Sequence, residues 1–215
     1  MLPIVLPALW RRSATLLLTL AAVGLAQAAD PGVTAQQIVI GQSITLQGGK
    51  NTHGVASQQG AKLYIDEANA AGGVHGRKIV LRTLDDNNQA AVAESNARRL
   101  LQEGAFLLFG SIEGGPSTAV MKVTHEANVP FIGPMAGSPS LRRPHQPTVF
   151  PVRAEHRDEF RSLMTWAASI GLRSVGFLHA DSATGREHLE NVKPMAKELG
   201  LDLVLALPFK GDADA

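Results

Sequence analysis

Cysteine is absent from the 215-residue chain. Its absence excludes disulfides, thiolate metal sites, a cysteine nucleophile and the lipidated cysteine of a bacterial lipoprotein. An excess of charge is also missing: 20 basic residues stand against 19 acidic ones. Nothing in that balance draws the chain to nucleic acid or to an anionic membrane surface. No Gly-Lys-Ser/Thr follows the glycine-rich bends, no Gly-x-Gly-x-x-Gly spacing occurs, and no Gly-x-Ser-x-Gly elbow or paired-carboxylate arrangement stands out. Nucleotide phosphate is therefore not indicated, and neither an enzyme nor a cofactor is expected. The seven histidines, His53, His75, His125, His145, His156, His179 and His188, show no His-x-x-x-His spacing, so no metal site is expected.

Long apolar runs are equally scarce. Residues 16–25 form one, too short to span a bilayer. Arg11 and Arg12 precede it and the small-x-small signal Ala26-Gln27-Ala28 follows, the pattern of a secretory signal peptide over residues 1–28. An uncleaved anchor or an ordinary buried helix is the alternative reading. Arg11-Arg12 also raises a twin-arginine route, which Trp10 and residues 13–15 do not support. Arg11 and Arg12 are two of the 20 basic residues, so cleavage leaves 18 against 19 acids, net −1. An exported, cysteine-free chain of this kind points to the periplasm of a Gram-negative bacterium.

What is present is alternation. Predicted strands at 38–46, 78–84, 105–109 and 129–132 are separated by predicted helices at 54–70, 89–102 and 117–126. Such spacing implies right-handed crossovers and an α/β, doubly wound parallel sheet. After a loop rich in proline and basic residues at 137–147, residues 148–152 read as a strand or linker, placing a first lobe at 29–152. A second series follows: helix 155–169, strand 174–179, helix 186–199 and strand 201–207. It opens a second lobe at 153–215. Two strands and two helices would leave that lobe with an unprotected edge, so it reads as truncated.

The most informative stretch is AFLLFGSIEGGPSTAVMK, residues 105–122. Phe106, Leu107, Leu108 and Phe109 are apolar without alternation, as in a strand covered on both faces. Gly110, Gly114 and Gly115 permit a tight bend, and Pro116, Ser117 and Thr118 suit the first turn of a helix. The bend is either a structural turn or a cradle of backbone NH groups for a carboxylate. A second bend, from Gly133 through Pro134, Met135, Ala136, Gly137 and Ser138 to Pro139, would share its sheet edge. Asp85-Asp86 ends a strand where metal- or phosphate-handling aspartates sit in some doubly wound proteins, but helix capping is equally natural there and is favoured by Asn87-Asn88. His53 and His179 each follow a strand and are candidates for facing a cleft.

Five stretches together, GAKLYIDEANAAGGVHGRKIVLRTLDD, FGSIEGGPSTAV, VPFIGPMAGSPSLR, VFPVRAEHRDEF and LHADSATGREHLENV, resemble the periplasmic type I solute-binding proteins of ABC transporters, the branched-chain amino acid (leucine/isoleucine/valine) binding family. The resemblance implies two Rossmann-like lobes that close on a small carboxylated solute, such as an amino acid, amide or aromatic acid. It also implies a noncatalytic monomer that hands the solute to a membrane permease. A ligand-sensing domain of the same fold, reporting to a signalling partner, is the alternative. By resemblance the ligand contacts fall on Gly114, Gly115, Pro116 and Ser117, on Ala136, Gly137 and Ser138, and on Thr184, beside the cleft candidate His53. Thr184 stands where the family often has an aromatic ring, so leucine-like specificity is not carried over. Glu113-Gly114-Gly115 likewise departs from the usual hydroxyl-bearing loop. Family members are close to twice the mature length.

Overall fold

A computed structural model describes residues 30–181 and 183–209; the expected signal peptide, 1–28, and the C-terminal residues 211–215 lie outside them. Five parallel strands, β1 (Gln37–Ile44), β2 (Lys78–Asp85), β3 (Leu107–Phe109), β4 (Phe131–Ile132) and β5 (Val149–Phe150), form one sheet in the order β2-β1-β3-β4-β5. The register pairs Ile44 with Asp85, Leu108 with Phe131 and Phe131 with Val149, so the carboxyl ends of the strands share one edge. β1 has β2 on one side and β3 on the other. The chain therefore reverses its direction of travel across the sheet at β1, and at such a switch point a crevice opens outside the strand ends.

Three helices serve as crossovers: α1 (Thr52–Ala70), α2 (Ala90–Gln102) and α3 (Gly114–Ala127). Ala93, Ala97 and Leu100 recur on one side of α2 at helical spacing. They pack with Val120 and Val123 of α3 over Leu108 and Phe131, all buried. Two alanines in that stripe let α2 lie close to the sheet. Asn51 caps α1, its side-chain oxygen accepting from the Gly54 amide at 2.8 Å. Asn128, in the left-handed conformation, ends α3.

The sequence expectation and the structure differ at α3, which begins at Gly114, three residues before the predicted start. Glu113 is extended (φ −96°, ψ 147°) and takes the N-cap position, while the two glycines join the first turn with Pro116. Glycine's poor helix propensity hid this, yet a first turn tolerates it because its NH groups lack intrahelical acceptors in any case.

Beyond β5 the chain runs through Arg153 into α4 (His156–Ser169), β6 (Ser174–Ala180), α5 (Ala183–Glu198) and β7 (Asp202–Phe209). β6 and β7 pair in parallel as a separate two-stranded sheet. Met164, Val192, Met195, Ala196 and Leu201 are buried between it and its helices. Leu178, Val204, Leu205, Leu207 and Phe209 remain exposed on the strands.

Candidate functional site

The turn after β1 is held from below by two aspartates. Asp85 accepts from the backbone amides of Leu46 (2.9 Å), Gln47 (3.2 Å), Gly48 (2.9 Å) and Asn87 (2.9 Å). Burial pushes its carboxyl up, but these four donors prevail and hold it below its ordinary value. Asp86 is fully buried and accepts from the Thr45 hydroxyl (2.6 Å), the Ser43 hydroxyl (3.3 Å) and the Asn88 amide (3.0 Å). Burial raises its carboxyl above the ordinary value despite those bonds. Both carboxylates thus spend their oxygens on capping and bracing, the structural half of the two readings of Asp85-Asp86.

The loops after β3 and β4 are fastened to each other. The Met135 amide donates to the Ser111 carbonyl at 2.7 Å, and the Ser117 hydroxyl donates to the Ser111 hydroxyl at 3.0 Å in a buried position. A Cβ added to Gly114 would lie 2.7 Å from the Ser138 hydroxyl oxygen. The two glycine-bearing bends are therefore in contact, as their shared sheet edge requires.

Above these loops opens a cavity of about 440 Å³, lined by His53, Ala56 and Ser57 of α1, Ile112 and Glu113 from the β3 loop, Met135 from the β4 loop, and Arg153 from the segment leading to α4. Of the residues expected in a site, His53 is in this lining. Gly114 and Gly115 form the adjoining first turn of α3. Pro116, Ser117 and Ala136 are buried behind it. Ser138 is 7% exposed, beside Gly114. Gly137 lies under the ring of His156, and Thr184 is exposed at the start of α5. His179 is buried in the aromatic cluster described below. Ala56, Ser57, Ile112, Glu113 and Arg153 were not expected. Their one legible signal was Glu113, noted only as a departure from a hydroxyl-bearing loop.

Arg142 organises the β4 loop. Its guanidinium donates to the carbonyls of Ala136 (3.1 Å) and Ser138 (3.0 Å) and to that of Arg153, tying the loop to the connecting segment. Arg153 in turn donates through Nε and Nη2 to the two carboxylate oxygens of Glu159 at 2.7 and 2.8 Å, the planar fork-on-carboxylate arrangement.

His156 joins the two sheets. Its amide donates to the Gly137 carbonyl at 3.0 Å, and its ring meets that of His188 with Nδ1 and Nε2 3.0 Å apart. Phe160, Phe177 and His179 complete an aromatic cluster around the pair. Burial lowers the pKa of both imidazoles. Around His156, His188, Arg153 and Arg142 add to the effect while Glu159 opposes it; around His188, Glu187 opposes and His179 adds. The folded protein thus binds fewer protons than the unfolded chain once the pH drops below the ordinary value of 6.5. Stability is expected to be full above that pH and to fall as the pH descends toward the depressed folded values. Thermal midpoints between pH 8 and pH 5 check this, with a shallower acid slope expected for His188→Gln.

The described residues hold no group of three or more metal-ligating side chains, and among them no helix is long and apolar enough to cross a membrane. A family model described as periplasmic binding protein matches residues 37–214. The chain is 30% identical over 171 residues, 74% of its length and 42% of the relative's, to Leu/Ile/Val-binding protein homolog 7 of Brucella abortus (strain 2308). Among solved structures, a substrate-binding periplasmic protein from Ralstonia solanacearum is 28% identical with a TM-score of 0.73, over 80% of this chain and 49% of that one. The branched-chain amino acid transporter substrate-binding protein LivJ from Streptococcus pneumoniae, in complex with isoleucine, shares the fold at 21% identity and TM-score 0.72, over 82% and 51%. The chain spans about half the length of the relatives it matches. A parallel sheet with its switch-point cavity and a family match over most of the sequence lead to one conclusion: this chain belongs to the periplasmic binding proteins, with the type I fold and the leucine/isoleucine/valine-binding type of sequence.

Proposed function

We propose that the protein is the solute-binding component of an ABC importer, exported through cleavage after Ala28 to work in the periplasm as a monomer. It captures a small carboxylated solute, of the amino acid, amide or aromatic acid class, and delivers it to a membrane permease without altering it. The observation that carries this reading is the cavity at the carboxyl ends of β1, β3 and β4, walled by α1 and by Arg153. Its position is where open α/β sheets bind small molecules. Support also comes from the Leu/Ile/Val-binding name of a relative covering 74% of the chain.

Isothermal calorimetry and thermal shift with amino acids, amides and aromatic acids test it; tight binding of a protein or a nucleotide, with no binder among those solutes, would sink it. Ser138→Ala is expected to weaken solute affinity by about 1 kcal/mol, since its hydroxyl sits where the two bends meet. Ser117→Ala serves as the contrast. Its hydroxyl is committed to Ser111, so its loss lowers the thermal midpoint more than it lowers affinity.

A further inference from the structure

His156 presses on the first sheet's loops from one side and on the second pair of helices from the other. A Cβ at Gly137 would lie 2.3 Å from its Cδ2 and 2.6 Å from its Nε2, so only the bare backbone of a glycine admits the ring against the β4 bend. Its Nδ1 is 3.0 Å from Nε2 of His188 on α5, and the two rings meet edge to face with centroids 4.7 Å apart. Phe160 packs on both. We infer that His156 and His188 form a proton-sensitive clasp. Neutral, the pair holds the 136–138 bend and the Arg153 segment to α4 and α5. When the rings take up protons the clasp opens and the cavity wall slackens, so that solute is held less tightly in acid surroundings than in neutral ones. That last step rests on the solute-binding reading above; the clasp itself does not.

The facing nitrogens have room for one proton between them. One ring donates and the other accepts while at least one is neutral, but two imidazolium rings would point N–H groups at each other. Burial already disfavours a charge on either ring, and the surroundings offer little relief. Arg153 on the connecting segment and Arg142 on the β4 loop both face His156. On α4, Glu159 opposes them, yet both its oxygens are engaged by Arg153. Glu155 is paired with Arg143 and Arg157, and Asp158 lies beside Arg157. His188 feels Glu187 on its own helix, which is exposed and acts through water, and His179 on β6, which works against a further charge. Among the described residues no carboxylate hydrogen-bonds to either ring of the pair. A histidine forced to carry a charge here gains by moving into water, and opening the clasp is the way there.

Opening reaches the cavity by short paths along the chain. Arg153 precedes His156 by three residues and Met135 precedes Gly137 by two, and both line the cavity. The His156 amide also donates to the Gly137 carbonyl at 3.0 Å, so a displaced His156 releases the bend as well as the ring contact.

Hydrogen exchange on the full chain, followed by mass spectrometry at pH 7.5 and pH 5.5 and corrected for the pH dependence of free amides, reads the clasp directly. A ring that gains its proton only on opening shifts the opening equilibrium by about tenfold over that interval. Amides 135–157 are therefore expected to lose protection by about tenfold or more, while the helices around Ala97 and Val120 keep theirs, and His188→Gln is expected to cut the loss by about threefold or more. Unchanged protection at 135–157 in the unaltered chain overturns the inference, as does a loss shared equally by the Ala97 and Val120 helices. Calorimetry with leucine and with benzoate, whose charges do not change over the same interval, reads the consequence. The one that binds is expected to bind about tenfold more weakly at pH 5.5, and less so in His188→Gln. Equal affinity at both pH values overturns the link to the cavity. A slope removed by His53→Gln and kept in His188→Gln does the same, by assigning it to the cavity's own histidine. Binding of neither solute, with the clasp opening as described, counts against the solute-binding reading and leaves the clasp standing.

Discussion

Gly54→Ala is expected to cost the fold about 3 kcal/mol, the upper range for forcing extra volume into a packed site, and to weaken solute binding with it. A Cβ at Gly54 would stand 1.8 Å from the Thr45 carbonyl oxygen and 2.9 Å from its carbon. Both obstacles are backbone, so no side-chain rotation relieves the contact. Thr45 cannot yield easily either, because its hydroxyl is bound to the buried Asp86 at 2.6 Å. The start of α1 must therefore move away from the end of β1, and His53, Ala56 and Ser57 leave the cavity wall with it. Gly60 provides the control on the same helix. A Cβ there meets nothing within 4 Å, and alanine is the better helix former, so Gly60→Ala is expected to stabilise by about 0.5 kcal/mol. Urea midpoints for both variants decide the matter; a Gly54→Ala protein as stable as its parent would show that α1 is not seated against β1 as described.

The alternation of strand and helix was legible because burial on both faces leaves runs such as Leu107-Leu108-Phe109 with no polar interruption, while Ala93, Ala97 and Leu100 mark a helix by their spacing. The meeting of the two bends beside the candidate cavity was legible for the same reason: glycine-bearing bends after β3 and β4 must lie on one edge of a parallel sheet. Its chemistry was much less so. The cavity wall is drawn from residues 53 to 57, 112 to 113, 135 and 153, and single residues that converge from four segments leave no periodic trace. Ser117 looked like a ligand hydroxyl from its place in the first turn of α3, but a helical residue's direction depends on where the helix starts. With α3 beginning at Gly114, Ser117 turns inward to Ser111. Glu113, one residue before that start, lines the cavity instead.

Arg142→Met is expected to produce the second large effect, a loss of about 2 kcal/mol in stability together with a roughly tenfold drop in solute affinity. The side chain is half-buried, and its guanidinium reaches the carbonyls of Ala136, Ser138 and Arg153 at once. Burial depresses its pKa, against the opposing fields of Glu155, Asp158 and Glu159, yet an arginine stays charged throughout. Hydrogen bonds from such a charged donor are worth about 1.5–3 kcal/mol each when their partners are left without a replacement. Water can reach part of this site and recover some of that, which sets the expected total near the lower end for one bond. The affinity loss has a different origin. Arg142 is the side chain that ties the 136–138 bend directly to the backbone of Arg153, beside the backbone bond from His156 to Gly137, and Arg153 is a wall of the cavity. Without it the β4 loop and the Arg153 segment are joined only by the backbone bonds Val152 to Pro134 and His156 to Gly137, which leave the 138–142 side of the loop looser, and a solute must order more of it on binding. Arg142→Lys separates the two contributions. A lysine ammonium keeps the charge but lacks the planar fork that spans three carbonyls. It is therefore expected to recover much of the stability and little of the affinity. Equal recovery of both would mean that Arg142 acts through its charge alone, not by fixing the distance between the bend and Arg153.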